Sequence, residues 1–286
     1  MNKRRIVIHA GFHKTGSTSL QLSAARGRQE LIELGVLFPE AGYDEWESHK
    51  GMATSGHSGV VAAPTIFFAE LDSECERIER EGRSIKTVLV SAENLLHPNS
   101  TLGLERLISF LEKNKARYDP VIVFTNREVE ALYESHLKEV YSNQGAKILF
   151  DPYDFYQRKS ASIEKLHALK EQGRIKIDML PYGDIYQRIG SLMEDASQVE
   201  SVLGANHVNS YSSKGEESNR LDIFKRYWRV RRVSVEPRVL SCAYYSESGD
   251  LGYKDIKVER YSKGVRYRVR CLVLRLYLWG AGFLKK

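Results

Sequence analysis

The chain has 286 residues, of which 42% are hydrophobic and 28% are charged, and its formal net charge is +6. This composition is typical of a globular protein with one large core, or with one core and a small appendage. The three cysteines, Cys75, Cys242 and Cys271, are odd in number and far apart, which suggests neither a disulfide framework nor a CxxC metal or redox site and fits a reducing compartment.

The N-terminal segment MNKRRIVIHAG contains an apolar run that is too short for a signal peptide or a membrane span. We therefore expect a cytoplasmic protein with no targeting segment before its first strand. Basic residues concentrate at the other end of the chain, where residues 221–286 contain 16 Lys and Arg against 6 Asp and Glu. This asymmetry favours a polyanion or a membrane surface as partner of the C-terminal segment, and the sequence leaves both open.

Continuous apolar runs and amphipathic runs alternate along most of the chain, as strands and helices do in a parallel sheet covered by helices. Pro64 is suited to the first position of a helix, and Gly82 is suited to end that helix. A long loop is predicted over residues 40–59. The predicted strands are residues 5–10, 35–39, 86–91, 121–125 and 174–180. The predicted helices are residues 17–34, 64–82, 102–111, 129–141, 163–172 and 184–193.

The turn between the first strand and the first helix is rich in glycine and hydroxyl side chains and contains one lysine. Backbone N–H groups, the positive end of the following helix and the charge of Lys14 together predict a phosphate-binding loop. Gly11 and Gly16 have the spacing of the Walker A motif GxxxxGK[ST], with Ser17 and Thr18 after them. The lysine of that motif is missing from its place and lies inside the loop. This departure argues against an ordinary nucleotide triphosphatase and favours another phosphate ester as ligand.

The letters HKTGSTS resemble the 5′-phosphosulfate-binding loop of sulfotransferases that use 3′-phosphoadenosine 5′-phosphosulfate (PAPS). The form GxHKTGxTSxQ is similar to bacterial members of that family, including carbohydrate sulfotransferases, and is matched by Gly11, His13, Lys14, Thr15, Gly16, Thr18, Ser19 and Gln21. A second family signature is a strand ending in Arg with a Ser eight residues later, and Arg127 and Ser135 match it in VIVFTNREVEALYES. The resemblance extends over about residues 5–220 and implies a P-loop NTPase-like α/β fold.

The resemblance also implies roles for single residues. Lys14 would neutralise charge on the bridging oxygen of the donor, and Arg127 with Ser135 would hold the 3′-phosphate from the entrance of a helix and two turns along it. Lys214 lies in a late segment that closes over the nucleotide in many members, but the family's Arg-Lys-Gly run is absent, so Lys214 and Arg220 are either ligand contacts or surface charges. The 5′-phosphate would be held by Thr15, Gly16, Ser17, Thr18 and Ser19.

Sulfuryl transfer to a hydroxyl requires a base for the acceptor's proton. Glu93 is the first candidate, because it follows the third predicted strand and VLVSAEN is similar to the family strand that ends near the catalytic base. His49, in the long loop, is the second candidate. His13 is expected to be a structural residue of the first loop.

These observations predict a metal-free, PAPS-dependent sulfotransferase that releases adenosine 3′,5′-bisphosphate (PAP). The acceptor is expected to be a saccharide or glycolipid by analogy, and nucleic acid is not expected as a partner. We expect an α/β domain in residues 1–220 and, in residues 221–286, a basic extension of unknown role that contains a hairpin over residues 255–273 and has a polyanion or a membrane surface as its partner.

Two alternatives stay open. A P-loop small-molecule kinase would need Mg²⁺ and a strand-end Asp, which VLVSAEN and VIVFTN lack. A polyanion- or membrane-binding protein would instead use the basic C-terminal segment and carry a vestigial phosphate loop.

Overall fold

The chain forms two compact units. The first consists of Met1–Arg127, Lys165–Ser210 and Glu247–Gly249, and the second of Glu128–Glu164, Tyr211–Ser246 and Asp250–Lys286. The predicted domain boundary near residue 220 lies outside the described residues and stays a prediction. The computed structural model describes residues 3–11, 17–46, 53–57, 59–92, 95, 101–128, 130–133, 135, 152–181, 185–205, 237–246 and 250–259.

A mostly parallel sheet forms the centre of the first unit. Its strands, within the described ranges, are β1 (Arg4–Gly11), β2 (Val36–Leu37), β3 (Asp44–Trp46), β4 (Ala53–Gly56), β5 (Thr87–Ala92), β6 (Tyr118–Asn126) and β7 (Lys176–Pro181). The parallel strands follow the order β2-β5-β1-β6-β7, and β4 adds an antiparallel contact to the end of β5. The strand that precedes the glycine-rich turn is therefore central, and the predicted P-loop NTPase-like α/β fold is confirmed.

Helices cover the sheet of the first unit. On one face, Val7 and Leu89 pack in a core with Leu20 from the first helix and Leu203 from the last described helix. The other face is aromatic, where the Phe68 ring lies 4.9 Å from that of Tyr118. The helices with assigned bounds are α1 (Ser17–Arg26), α2 (Arg28–Glu33), α3 (Gly59–Ala62), α4 (Pro64–Arg80), α5 (Thr101–Lys113), α6 (Pro152–Glu171), α7 (Ile185–Gly190) and α8 (Ala196–Ala205), and residues 130–133 and 135 are also helical.

Helix α4 agrees best with the sequence pattern. Its apolar residues Phe67, Leu71, Cys75 and Ile78 recur at helical spacing and are all buried. Pro64 occupies its first turn, where a missing backbone N–H costs no hydrogen bond. Burial of each such side chain stabilises the fold by about 2 kcal/mol, which is enough to hold an amphipathic helix on the sheet.

Other elements differ from the predictions. The predicted helix over residues 17–34 is two helices, α1 and α2, with Gly27 between them. The predicted loop over residues 40–59 contains β3 and β4, which have no apolar alternation and are held by pairing with each other and with β5. Helix α6 begins at Pro152, well before the predicted residue 163. Helix α8 was not predicted.

The second unit contains an antiparallel hairpin of β8 (Pro237–Tyr245) and β9 (Leu251–Glu259). The backbone N–H of Ala243 donates to Ser160 Oγ of α6 at 2.9 Å. Lys254 of β9 forms ion pairs with Glu130 and Glu128. A different hairpin was predicted over residues 255–273. Its first strand overlaps β9, which pairs with β8, and the rest of it lies outside the described residues, so that hairpin stays a prediction. No helix in the described ranges combines the length and hydropathy needed to cross a membrane.

Candidate functional site

The parallel strands of the first unit end together. Ala10 pairs with Ala92, Gly11 with Thr125, and Asn126 with Pro181 in the strand register. We call this end of the sheet, formed by the last residues of β1, β5, β6 and β7, the carboxyl edge. In parallel α/β sheets, ligands bind outside such an edge, and here the glycine-rich turn follows the central strand.

Most of the predicted site residues lie outside the described part of the chain. Their roles therefore stay predictions. Those residues are Lys14, Thr15, Gly16, His49, Glu93 and Lys214, together with His13 and Arg220.

The start of α1 lies where a phosphate-binding helix should begin. Ser17 is the first residue of the helix, as predicted, and is buried, whereas Thr18 and Ser19 are half-buried. The first turn contains no acidic residue, so its positive end is not neutralised from within the helix. The hydroxyl of Ser19 lies 2.6 Å from that of Tyr186 in α7. The amino end of α1 therefore offers hydroxyl groups and a partial positive charge in the same place.

Arg127 and Ser135 are both described, but in different compact units. Arg127 directly follows β6 in the first unit and is half-buried. A helical turn begins just after it, where the Leu132 N–H donates to the Glu128 carbonyl at 2.9 Å. Ser135 is helical and half-buried in the second unit. The roles of Arg127 and Ser135, and the convergence of both side chains on one phosphate, stay predictions.

A buried chain of hydrogen bonds crosses three strands close to the carboxyl edge. His9 Nδ1 lies 3.0 Å from Ser91 Oγ of β5, and its Nε2 lies 3.0 Å from Thr125 Oγ1 of β6. Gln21 Nε2 of α1 donates to the same Ser91 oxygen at 3.2 Å. All four side chains are fully buried. A hydroxyl can donate or accept, so either tautomer of His9 is satisfied by these partners.

His57 forms a second buried contact at the same edge. The Ser91 N–H donates to His57 Nδ1 at 3.1 Å, so Nε2 carries the hydrogen and donates to the Pro39 carbonyl at 2.9 Å. The ring also packs edge-on against Phe38, with centroids 4.6 Å apart. Burial lowers the pKa of His57 to about 4, and hydrogen bonds to Pro39 and Ser91 oppose this shift. His57 is therefore a neutral structural residue that joins the ends of β2 and β5.

Sequence patterns alone did not assign these polar side chains. A signal was nevertheless present, because three strongly apolar runs, IVIHAG, TVLVSA and VIVFTN, each contain a polar residue near their end. Polar side chains inside buried strands need partners, and neighbouring strands supply them. The partner identities depend on strand order, which the sequence did not specify.

The part of the chain that the structure describes contains no group of three or more His, Cys, Asp and Glu side chains that would hold a metal ion. Cys75 and Cys242 are free and buried, and burial raises the pKa of Cys75 to about 12 and that of Cys242 to about 11. At neutral pH both are unreactive thiols.

Comparisons with known proteins add little to these observations. No family model matches the chain, and no curated protein matches it. A solved structure of polyphosphate kinase 2 from Arthrobacter aurescens TC1 is similar at 13% identity over 78% of this chain and 77% of that one, with a TM-score of 0.33. A likeness at this level supports no conclusion about activity. The fold therefore rests on the strand order, and the resemblance to sulfotransferases rests on the motif residues.

Proposed function

We propose that this protein is a PAPS-dependent sulfotransferase. The observation that carries the proposal is the position of the GxHKTGxTSxQ motif: it begins at the end of the central strand β1 and continues into the amino end of α1. Backbone N–H groups and helix polarity there suit an anionic ligand, and a lysine within the loop, at Lys14, suits a phosphosulfate better than a triphosphate.

The reaction that we propose is an in-line transfer. The acceptor oxygen forms a bond to sulfur while the bond from sulfur to the bridging phosphate oxygen breaks, and PAP leaves. Lys14 stabilises the negative charge that develops on the bridging oxygen, and Glu93 or His49 takes the acceptor's proton. Sulfuryl transfer of this kind requires no metal ion. The donor's 5′-phosphate is held by Thr15, Gly16, Ser17, Thr18 and Ser19.

The 3′-phosphate of the donor needs a cation of its own. Arg127 follows β6 at the carboxyl edge, which supports its assignment to this phosphate. Ser135 and Lys214 are proposed as further contacts to the nucleotide on the basis of the motif alone.

For the acceptor we propose a saccharide, free or linked to a lipid. The basic C-terminal segment, residues 221–286, supports a contact with an anionic glycan or membrane surface, and a cytoplasmic location suits the cysteine usage. Nucleic acid is not proposed as a partner.

A second candidate is a P-loop kinase that transfers a phosphoryl group to a small molecule. The central position of β1 and the helix at its end are equally suited to a nucleoside triphosphate. Such an enzyme would depend on Mg²⁺, whereas the proposed sulfotransferase would not.

Calorimetric titration separates the two candidates. Wild-type protein should bind PAP without metal, and Lys14→Ala and Arg127→Ala should weaken this binding by at least about tenfold, because each removes a charged phosphate contact. Arg117→Ala is the matched control, because Arg117 is exposed and precedes β6 at the opposite end of the strand. Binding of ATP with Mg²⁺ and not of PAP would favour the kinase.

The same titration tests the polyanion-binding alternative when it is repeated at rising salt. Affinity through the basic segment should fall steeply with salt, whereas donor affinity in a closed site should fall much less. Absence of PAP binding, or equal binding by wild type and both variants, would overturn the sulfotransferase proposal.

A further inference from the structure

The hydrogen-bond chain Gln21–Ser91–His9–Thr125 lies inside an otherwise apolar core. Its four side chains are fully buried among residues such as Val7 and Leu89. Buried polar groups add little net stability even when satisfied, and each lost partner leaves a costly orphan. A polar chain in this place therefore suggests a role beyond stability.

The three strand residues of the chain share one relationship to the candidate site. His9 precedes Gly11, the start of the phosphate-loop motif, by two residues. Ser91 precedes Glu93 by two, and Thr125 precedes Arg127 by two. Gln21, itself part of the motif, attaches α1 to the same chain. The network thus joins residues that lie two positions before each segment to which a chemical role is assigned.

Close packing around the network restricts its geometry. A Cβ at Gly56 would lie 2.3 Å from Gln21 Nε2 and 2.3 Å from the Ser91 carbonyl oxygen. The His57 N–H donates to that carbonyl at 2.8 Å. Strand β4 therefore packs directly onto Gln21 and Ser91. This contact limits the movement of the Gln21 side chain and of the Ser91 backbone.

We propose that His9 is a positioning residue for the donor site: its ring joins the ends of β5 and β6 to β1, and so determines where the phosphate loop, Glu93 and Arg127 leave the sheet. The donor part of this inference rests on the proposed function. The strand-coupling part does not, because it follows from the two 3.0 Å contacts of the imidazole.

Three variants on β6 test the inference. Thr125→Val keeps the side-chain shape and removes the hydroxyl at His9 Nε2. Thr125→Ser restores the hydroxyl. Tyr118→Phe removes one hydroxyl from the opposite end of the same strand, where it donates to Asp72 at 2.8 Å. Should Thr125→Val fail to fold, Ser91→Ala takes its place, because it removes the contact at the other ring nitrogen.

Amide hydrogen exchange without ligand is the first measurement. Thr125→Val should accelerate exchange at the ends of β1 and β5 as well as β6, since these ends share the ring of His9. Thr125→Ser should exchange like wild type, and Tyr118→Phe should accelerate exchange only at the amino ends of the strands. Acceleration confined to β6 in Thr125→Val would overturn the inference, whether or not the wild type binds PAP.

Titration with PAP is the second measurement. Thr125→Val should weaken binding about tenfold, by misplacing Arg127 and the loop, while Thr125→Ser recovers most of the affinity. Tyr118→Phe should bind like wild type. If exchange spreads to all three strands and PAP affinity is unchanged in Thr125→Val, His9 couples the strands but does not position the donor, and the inference fails. If the wild type does not bind PAP, the proposed function fails and the exchange pattern alone decides the strand coupling.

Discussion

The imidazole of His57 joins two strands through the carbonyl of Pro39 and the backbone of Ser91. Its Nε2–H donates to Pro39 at 2.9 Å, and its Nδ1 accepts from the Ser91 N–H at 3.1 Å. Protonation would place a second hydrogen on Nδ1, where the Ser91 carbonyl oxygen lies 3.3 Å away and can accept it, but the added charge would lie inside a fully buried site. Burial therefore favours the neutral form of the ring.

The first prediction concerns stability at acid pH. Because burial lowers the pKa of His57 to about 4, the unfolded chain, with a pKa near 6.5, binds the proton more readily than the folded protein. Stability is therefore unaffected above pH 6.5 and is lost as the pH falls from 6.5 towards 4. Lowering the pH from 7.5 to 5 should reduce the free energy of unfolding by about 2 kcal/mol through the titration of His57.

Urea unfolding of wild type and His57→Gln at these two pH values measures this loss. The other histidines contribute equally to both proteins, so the difference between the two pH slopes reports His57 alone. His57→Gln should be less stable at pH 7.5 and should lose less on acidification. Equal pH slopes would contradict the assignment.

The second prediction concerns the contact between Tyr186 and Ser19. Tyr186→Phe removes the hydroxyl that lies 2.6 Å from Ser19 Oγ and 3.5 Å from Ser23 Oγ. We expect a loss of about 1 kcal/mol in stability and a few-fold weaker binding of PAP, since the Ser19 hydroxyl loses its orientation. Thermal unfolding and calorimetry measure the two effects.

The control is Tyr253→Phe, at an exposed tyrosine of the hairpin. Equal PAP affinity in Tyr186→Phe and Tyr253→Phe would contradict the assignment of Ser19 to the donor site.

The third prediction concerns Gly56, which has a φ of +68° and no room for a side chain. Gly56→Ala should destabilise the protein by about 3 kcal/mol, part from the left-handed backbone and part from overlap with Gln21 and Ser91. Gly173 is the matched control, because its φ is +62° and nothing lies within 4 Å of its Cβ position. Gly173→Ala should cost about 1 kcal/mol from the backbone alone. Equal losses in urea unfolding would show that packing at Gly56 is looser than the structure indicates.

The order of strands and helices could be predicted from the sequence because each buried strand is a continuous apolar run and α4 repeats its apolar residues at helical spacing. The start of α1 at Ser17 was also predictable, because the glycine- and hydroxyl-rich turn that precedes the helix is a local sequence signal. Strands β3 and β4 could not be predicted. The letters DEW and ATSG contain no alternating apolar pattern, and their pairing depends on neighbours that are remote in the chain.

The network around His9 is non-local in the same way. His9 lies 82 residues from Ser91 and 116 residues from Thr125 in sequence, and only the sheet order brings them together. A polar residue inside each buried strand indicated that partners must exist. The identity of those partners depends on the strand register. A shift of one residue would place the side chains of neighbouring strands on opposite faces of the sheet.

The last prediction separates donor binding from the transfer step. Glu93→Gln keeps the size of the side chain and removes its basicity, so PAP should bind within about twofold of wild type while sulfuryl transfer falls by at least about a hundredfold. His49→Ala should behave in this way only if the histidine is the base. Transfer from PAPS to a panel of saccharides, followed by release of PAP, measures the rate, and titration with PAP measures binding. His57→Gln is the matched histidine control, because His57 is assigned a structural role. Its loss should lower the free energy of unfolding and leave the transfer rate of the folded protein at neutral pH nearly unchanged. Activity retained by both Glu93→Gln and His49→Ala would exclude both residues as the base.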